Sequence, residues 1–175
     1  MKEQRLRGLL LYNKLSSENN LFVKFLTEND EILTGLCFGG SSKKKKNIFQ
    51  IGYLLNIISI SKNKNFPNNI NAELSKPFYY NIFNDKYKLH CLLAIISLLN
   101  ISIIEGQKVD GIFNSSEKII EILSNKDKWI VDFFLYLLNL LKLIGYEIDF
   151  YKNSSYKYFD LELLEFKSLN LPNTI

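Results

Sequence analysis

A chain of 175 residues holds one ordinary domain or two small ones. With 47% hydrophobic and 23% charged residues it is too apolar for disorder, and 13 Phe and 10 Tyr beside many Ile and Leu can fill a sizeable core. Two cysteines, Cys37 and Cys91, exclude a disulfide framework and a four-cysteine zinc site. The formal charge of +4 is unevenly spread: residues 1–80 carry 12 Lys or Arg against 6 Asp or Glu, and residues 81–175 carry 10 against 12. A net +6 half joined to a net −2 half predicts that the first meets a polyanion and the second something else. The opening MKEQRLRGLLLYNK lacks the apolar core and cleavage site of a secretory signal, so a cytoplasmic protein with reduced thiols is expected.

The first 76 residues read as β-structure. Gly8 to Tyr12, Leu21 to Thr27 and Ile32 to Phe38 are short runs rich in strand formers, separated by polar breaks such as Thr27-Glu28-Asn29-Asp30. A flexible basic loop, Gly39 to Lys46, follows. Tyr53 to Ser61 makes a fourth strand, and Asn69 to Leu74 a fifth after the SKNKNFPN turn. Five short strands with few helical signals suggest a small antiparallel barrel.

From Pro77 the pattern becomes helical. Asp85 to Ile104 is one long apolar stretch; Asn114 or Ser115 is expected to cap a short helix over Glu117 to Leu123; Asp127 to Ile144 forms a third, ended by Gly145. The apolar runs Leu89–Ile104 and Trp129–Ile144 reach only 16 residues each and contain polar groups, so they read as core helices rather than membrane spans. The tail from Asp149 to Ile175 is mixed, and YKYFDLELLEF is readable as strand or helix.

Catalytic chemistry finds little support. The one histidine, His90, is adjacent to Cys91 on a helix, where neighbours point about 100° apart, so a partly buried His and a core Cys are expected. Gly39-Gly40-Ser41-Ser42-Lys43 lacks the spacing of a phosphate loop. Glu117 with Glu121, and Glu162 with Glu165, read as solvated helix faces. The informative feature is Lys43-Lys44-Lys45-Lys46: four adjacent ammonium groups gain most from a polyanion that displaces counterions. Arg5, Arg7, Lys24, Lys62 and Lys64 belong to the same β-region, and Phe22, Phe25, Phe38 and Phe49 could include a base-stacking residue. Lysine in place of arginine favours charge-based, sequence-tolerant contact.

The string from Gly8 through Leu54 resembles the start of the bacterial DNA repair protein family RecO. The features are Gly8 before an apolar strand, Glu18 before the second strand, Thr27 at its close, the Gly39–Lys46 loop and Gln50. Ala72-Glu73-Leu74, Ile104-Glu105 and Leu140 to Asp149 continue the likeness, which covers roughly residues 6–150. The resemblance implies an α+β chain, an N-terminal OB-fold β-barrel (1–77) followed by an α-helical domain (78–150) and a tail (151–175). It implies a recombination mediator, not an enzyme, that binds single- and double-stranded DNA, anneals complementary strands and, with RecR, helps load RecA onto DNA coated by single-strand-binding protein (SSB). Within it, Lys43, Lys44, Lys45, Lys46, Arg5, Arg7 and Lys24 are the expected DNA-binding residues. The family's helical pocket for the SSB C-terminal tail directs attention to Trp129, Phe133 and Tyr136, with Phe134 nearby. Two departures stand out. The family's zinc cysteines are missing after Asp149, where Phe150-Tyr151-Lys152-Asn153 stands, so no zinc or other cofactor is expected. Family chains also usually run longer, so a shortened member or a missing C-terminal part is expected.

Overall fold

The computed structural model describes residues 2–17, 19–61, 66–75, 79–146, 158–160 and 165–167. Glu18, Lys62, Lys64, Asp149, Glu162 and the segment Phe150 to Asn153 lie outside the described residues.

The chain starts with a 16-residue strand, β1 (Lys2–Ser17), much longer than the apolar run Gly8 to Tyr12 indicates. Its length serves two partners. Lys2 to Leu9 pair antiparallel with β4 (Leu54–Ser61), and Gly8 to Ser17 pair antiparallel with β2 (Asn20–Thr27). Gly8 sits where the strand passes from one partner to the other, opposite both Thr27 and Leu55. A Cβ there would lie 2.3 Å from Ile57 Cδ1 and 3.3 Å from Phe25 Cβ, so any larger residue at the crossing would have to push the buried Ile57 side chain aside.

With β3 (Ile32–Cys37) and β5 (Asn68–Leu74) the strands close in the order β1-β2-β3-β5-β4. The expectation of an α+β chain built on an antiparallel OB-fold β-barrel needs correction. The sheet is mixed: β3 and β5 run parallel, over only Gly35↔Asn68 and Leu36↔Asn69. Such a narrow parallel seam has no hydrophobic signature of its own, because two residue pairs are too few to pattern a sequence. Gly35 permits it, since a Cβ would meet the Asn68 backbone oxygen at 2.5 Å and Ile70 Cγ1 at 2.6 Å.

The helices pack against the strands. Side chains alternate across β1: Leu10 points into the strands' own core with Val23, Phe25, Phe49, Leu55, Ile57 and Ile70. Leu9 and Leu11 point the other way and join Leu26, Ile32 and Leu54 in a second core shared with the helices. Successive buried leucines therefore reflect a strand covered on both faces.

Among the described residues four helices follow: α1 (Tyr80–Phe83), α2 (Lys86–Ser102), α3 (Ile112–Asn125) and α4 (Ile130–Leu143). The single turn α1 carried no sequence signal. Asp85 caps α2, accepting from the Tyr87 and Lys88 amides. The expected cap of the next helix was wrong: α3 begins at Ile112, and Asn114 and Ser115 lie inside it. Its N-terminal amides are satisfied by Asp30, on the turn between β2 and β3. One carboxylate oxygen accepts from Gly111 N at 2.9 Å and the other from Phe113 N at 2.9 Å. Asp30 takes φ 63° to reach them, a left-handed conformation Asp tolerates better than most residues. Gly145, at φ 99°, ends α4 as expected. A two-stranded antiparallel pair, β6 (Tyr158–Asp160) and β7 (Glu165–Lys167), lies in the tail. Among the described residues no helix is long and apolar enough to cross a membrane.

Candidate nucleic-acid interface

The lysine run occupies a built turn rather than the flexible loop expected. Gly39 turns the chain at φ 66° and donates its amide to Asn20 Oδ1 at 3.1 Å. Gly40 packs so closely on Cys37 and Leu21 that a Cβ would lie 3.1 Å from each. Lys45 N and Lys46 N then bond to Ser42 O, and Ile48 N to Lys45 O, making successive helical turns. Phe49, 2% exposed, anchors the far end, where its carbonyl accepts from Asn13 Nδ2 at 2.7 Å. Lys43, Lys44 and Lys46 are exposed from this frame. Lys45 is half-buried and donates through Nζ to Asn71 Oδ1 on β5 at 3.2 Å. Phe38, 55% exposed, stands immediately before the turn, whereas Phe25 and Phe49 are core and Phe22 is half-buried.

The other expected DNA-binding cations divide. Arg5 lies on the outer face of β1, its side chain 78% exposed, with Nε 3.2 Å from Glu3. Arg7 points toward the helices, pairing with Glu28 at 3.1 Å and Glu117 at 2.6 Å, its guanidinium over the Phe113 ring. Burial alone would lower its pKa, but hydrogen bonds and charge from the two carboxylates hold it above the usual value. Glu117 is accordingly no solvated carboxylate, with 15% of its side chain exposed. Lys24 donates to the Asn100 and Ile103 carbonyls at 2.9 and 3.4 Å, capping the C-terminal end of α2. Burial lowers its pKa, with the Glu105 charge opposing. Arg7 and Lys24 thus join strands to helices, whereas Arg5 stays on the outer face of β1.

A groove of about 370 Å³ crosses the outer face of β1, β4 and β5, and Lys45 meets its edge at Asn71. Arg5, Asn56, Asn71 and Glu73 line it, with Arg7 and Glu28 at one side. Asn56 and Asn71 were not singled out from sequence, although the alternation Asn69, Asn71, Glu73 in NINAEL marks the outward face of a strand.

No catalytic constellation is assembled among the described residues. His90 is exposed, not partly buried. Burial raises the thiol pKa of buried Cys37 and half-buried Cys91, with Lys45 opposing this at Cys37 and Asp85 adding to it at Cys91, so neither is an activated thiolate. Among the described residues no group of three or more His, Cys, Asp or Glu could hold a metal ion.

In the helical part, Trp129 is 9% and Tyr136 5% exposed, and the Tyr136 hydroxyl bonds to Ser116 Oγ at 3.0 Å. Phe133 is half-buried, edge-on to Trp129. A pocket of about 210 Å³ between α3 and α4 is lined by Lys118, Ile119, Ile122, Leu135 and Tyr136 among others; of the three expected residues only Tyr136 reaches it. The exposed apolar face of α4 is instead Ile130, Val131, Phe134, Leu135 and Leu138.

Residues 84–157 match the family described as Recombination protein O C terminal, on the helical part of the chain. Three DNA repair proteins RecO align over a longer stretch. That of Rickettsia canadensis (strain McKiel) is 26% identical over 145 residues, covering 83% of this chain and 59% of the relative. That of Ruegeria sp. (strain TM1040) is 23% identical, covering 82% and 59%. That of Rickettsia bellii (strain OSU 85-389) is 27% identical, covering 83% and 59%. The chain is similar to RecO. It spans about 59% of the length of these relatives, and an alignment of 145 residues necessarily runs past the helices into the strands.

Proposed function

We propose that this chain is a member of the RecO family and acts as a non-enzymatic recombination mediator. It binds single- and double-stranded DNA, brings complementary strands together to anneal, and with RecR helps RecA assemble on DNA coated by SSB. The observation that carries this reading is the lysine turn. Three exposed ammonium groups stand on a hydrogen-bonded frame beside an exposed aromatic, Phe38, in a chain similar to RecO proteins. Such a surface attracts phosphates by counterion release and gives one base a face to stack on. Two strands held on one cationic surface repel each other less, which favours annealing.

Residues 1–77 are the nucleic-acid unit on this reading, and residues 78–150 carry the protein contacts. The α3–α4 pocket, with Ile119, Ile122, Leu135 and Tyr136 for apolar contact and Lys118 beside Ser115 and Asp132 as its polar groups, is the site we assign to the tail of SSB. Arg7 and Lys24 act in the frame rather than on DNA. The protein works in the cytoplasm, at the nucleoid. An alternative, a protein-interaction scaffold or RNA-binding module without annealing activity, is favoured in its first form by the exposed apolar face of α4.

Fluorescence anisotropy with a labelled single-stranded oligonucleotide across a salt series decides between them. The expected result is steeply salt-dependent binding and faster annealing on addition of the complement. Changing Lys43, Lys44 and Lys46 together to Ala should flatten the logarithmic salt slope by about 2, at roughly 0.7 per contact on single strands. Binding indifferent to salt, or unchanged in the triple variant, would refute the assignment.

A further inference from the structure

The groove beside the lysine turn has two ends of opposite character. In the strand register, Arg5 on β1 stands opposite Ile58 on β4, and Ile58 opposite Asn71 on β5. Lys45 Nζ closes that row from the other side, 3.2 Å from Asn71 Oδ1. The neighbouring row, two residues along each strand, is Arg7, Asn56 and Glu73, about 6.7 Å away at the usual rise of a strand. The first row presents two cations at its edges, with half-buried Ile58 and the Asn71 amide between them. Among the described residues Arg5 pairs with Glu3, an exposed pair that gives way readily to a phosphate. In the second row Arg7 is already neutralised by Glu28 and Glu117, so Glu73 leaves that row negative.

We infer that this groove is a directional track for one nucleic-acid strand: phosphates pass from the lysine turn over the Lys45–Asn71–Arg5 row, and Glu73 turns the strand away from the second row. The inference rests on the proposed DNA binding and adds a path to it. Asn71 holds Lys45 at the edge of the groove without neutralising it, as an amide oxygen accepts from an ammonium while carrying no charge. A carboxylate at 71 would consume that cation. Glu73 is a selectivity residue, acting by repulsion at a distance of one row.

The test uses the full chain and a labelled single-stranded oligothymidine, with anisotropy read across a salt series and thermal unfolding as the folding control. Arg5→Gln and Asn71→Asp should each flatten the logarithmic salt slope by about 0.7, one contact's share. Glu73→Gln should do something else. Removing a charge about 7 Å from a phosphate in water should tighten binding about twofold at low salt, and the gain should fade near 0.15 M as screening sets in, so the salt slope steepens slightly where the other two variants flatten it. Wild-type slopes in Arg5→Gln and Asn71→Asp, or no gain in Glu73→Gln, would overturn the track. If the lysine-turn variant still lost affinity in that case, the proposed DNA binding would survive. No binding by the wild-type chain at low salt would overturn both.

Discussion

Substituting Asp30 tests whether strands and helices are one cooperative unit. The Asp30 carboxylate bonds two amides at the start of α3, Gly111 N and Phe113 N, both at 2.9 Å. Its own carbonyl accepts from Val109 N at 3.1 Å, and Glu31 beside it bridges to Lys108. No side chain of α3 itself caps that end. Losing an N-cap costs about 0.5–2 kcal/mol, and losing the negative charge at a helix N-terminus about 0.3–1 kcal/mol more. Asp30 also sits at φ 63°, where alanine incurs about 1 kcal/mol that glycine does not. Asp30→Ala should therefore cost about 3 kcal/mol and Asp30→Gly about 2 kcal/mol. Asp30→Asn, which keeps one acceptor oxygen, should cost about 1 kcal/mol. In a chain of this size the Ala variant should melt about 6–12 °C lower. Circular dichroism on heating and in urea reads the order, and hydrogen exchange at the first turn of α3 reads the location. An Ala variant within about 0.5 kcal/mol of wild type, well below the usual cost of a lost cap, would refute the reasoning. So would an Ala variant no worse than Gly, for the backbone part of it.

Three further outcomes follow from the same contacts. Gly35→Ala places a Cβ 2.5 Å from the Asn68 backbone oxygen, which cannot swing aside. It should cost about 2–3 kcal/mol and deprotect the β5 amides of Asn69 and Ile70 in hydrogen exchange. Arg7→Lys cannot span Glu28 and Glu117 as the guanidinium does; unfolding should show a loss of about 1–2 kcal/mol, while DNA affinity stays at the wild-type level. Burial pushes the Tyr136 hydroxyl up to about 12, against a smaller opposing effect of its Ser116 hydrogen bond. An unfolded tyrosine ionises near pH 10, so between about pH 10 and 12 the unfolded chain sheds a proton the folded one keeps. Stability is full below that window and falls across it with rising pH. Tyr136→Phe should flatten this alkaline limb in urea titrations, at a cost of about 1 kcal/mol near pH 7.

Local patterning wrote much of this protein into its sequence. β2 to β5, α2 and α4 lie close to where runs of strand formers, apolar stretches and end signals such as Asp85 and Gly145 put them, and α3 contains its expected span but starts five residues earlier. The uneven charge and the lysine run were equally legible, because composition and adjacency need no third dimension. What the sequence left open depends on contacts between distant residues. The parallel seam at Gly35 is two residue pairs long, too short to leave a pattern. The cap of α3 comes from Asp30, 81 positions before Gly111, and a cap across that separation has no local motif to mark it. Arg5, Arg7 and Lys24 look alike in a row of letters. Only the fold decides that Arg5 faces outward, while Arg7 meets two carboxylates and Lys24 meets the carbonyl end of a helix. A charge count says how many cations a chain has, and tertiary structure sets how many of them are already taken.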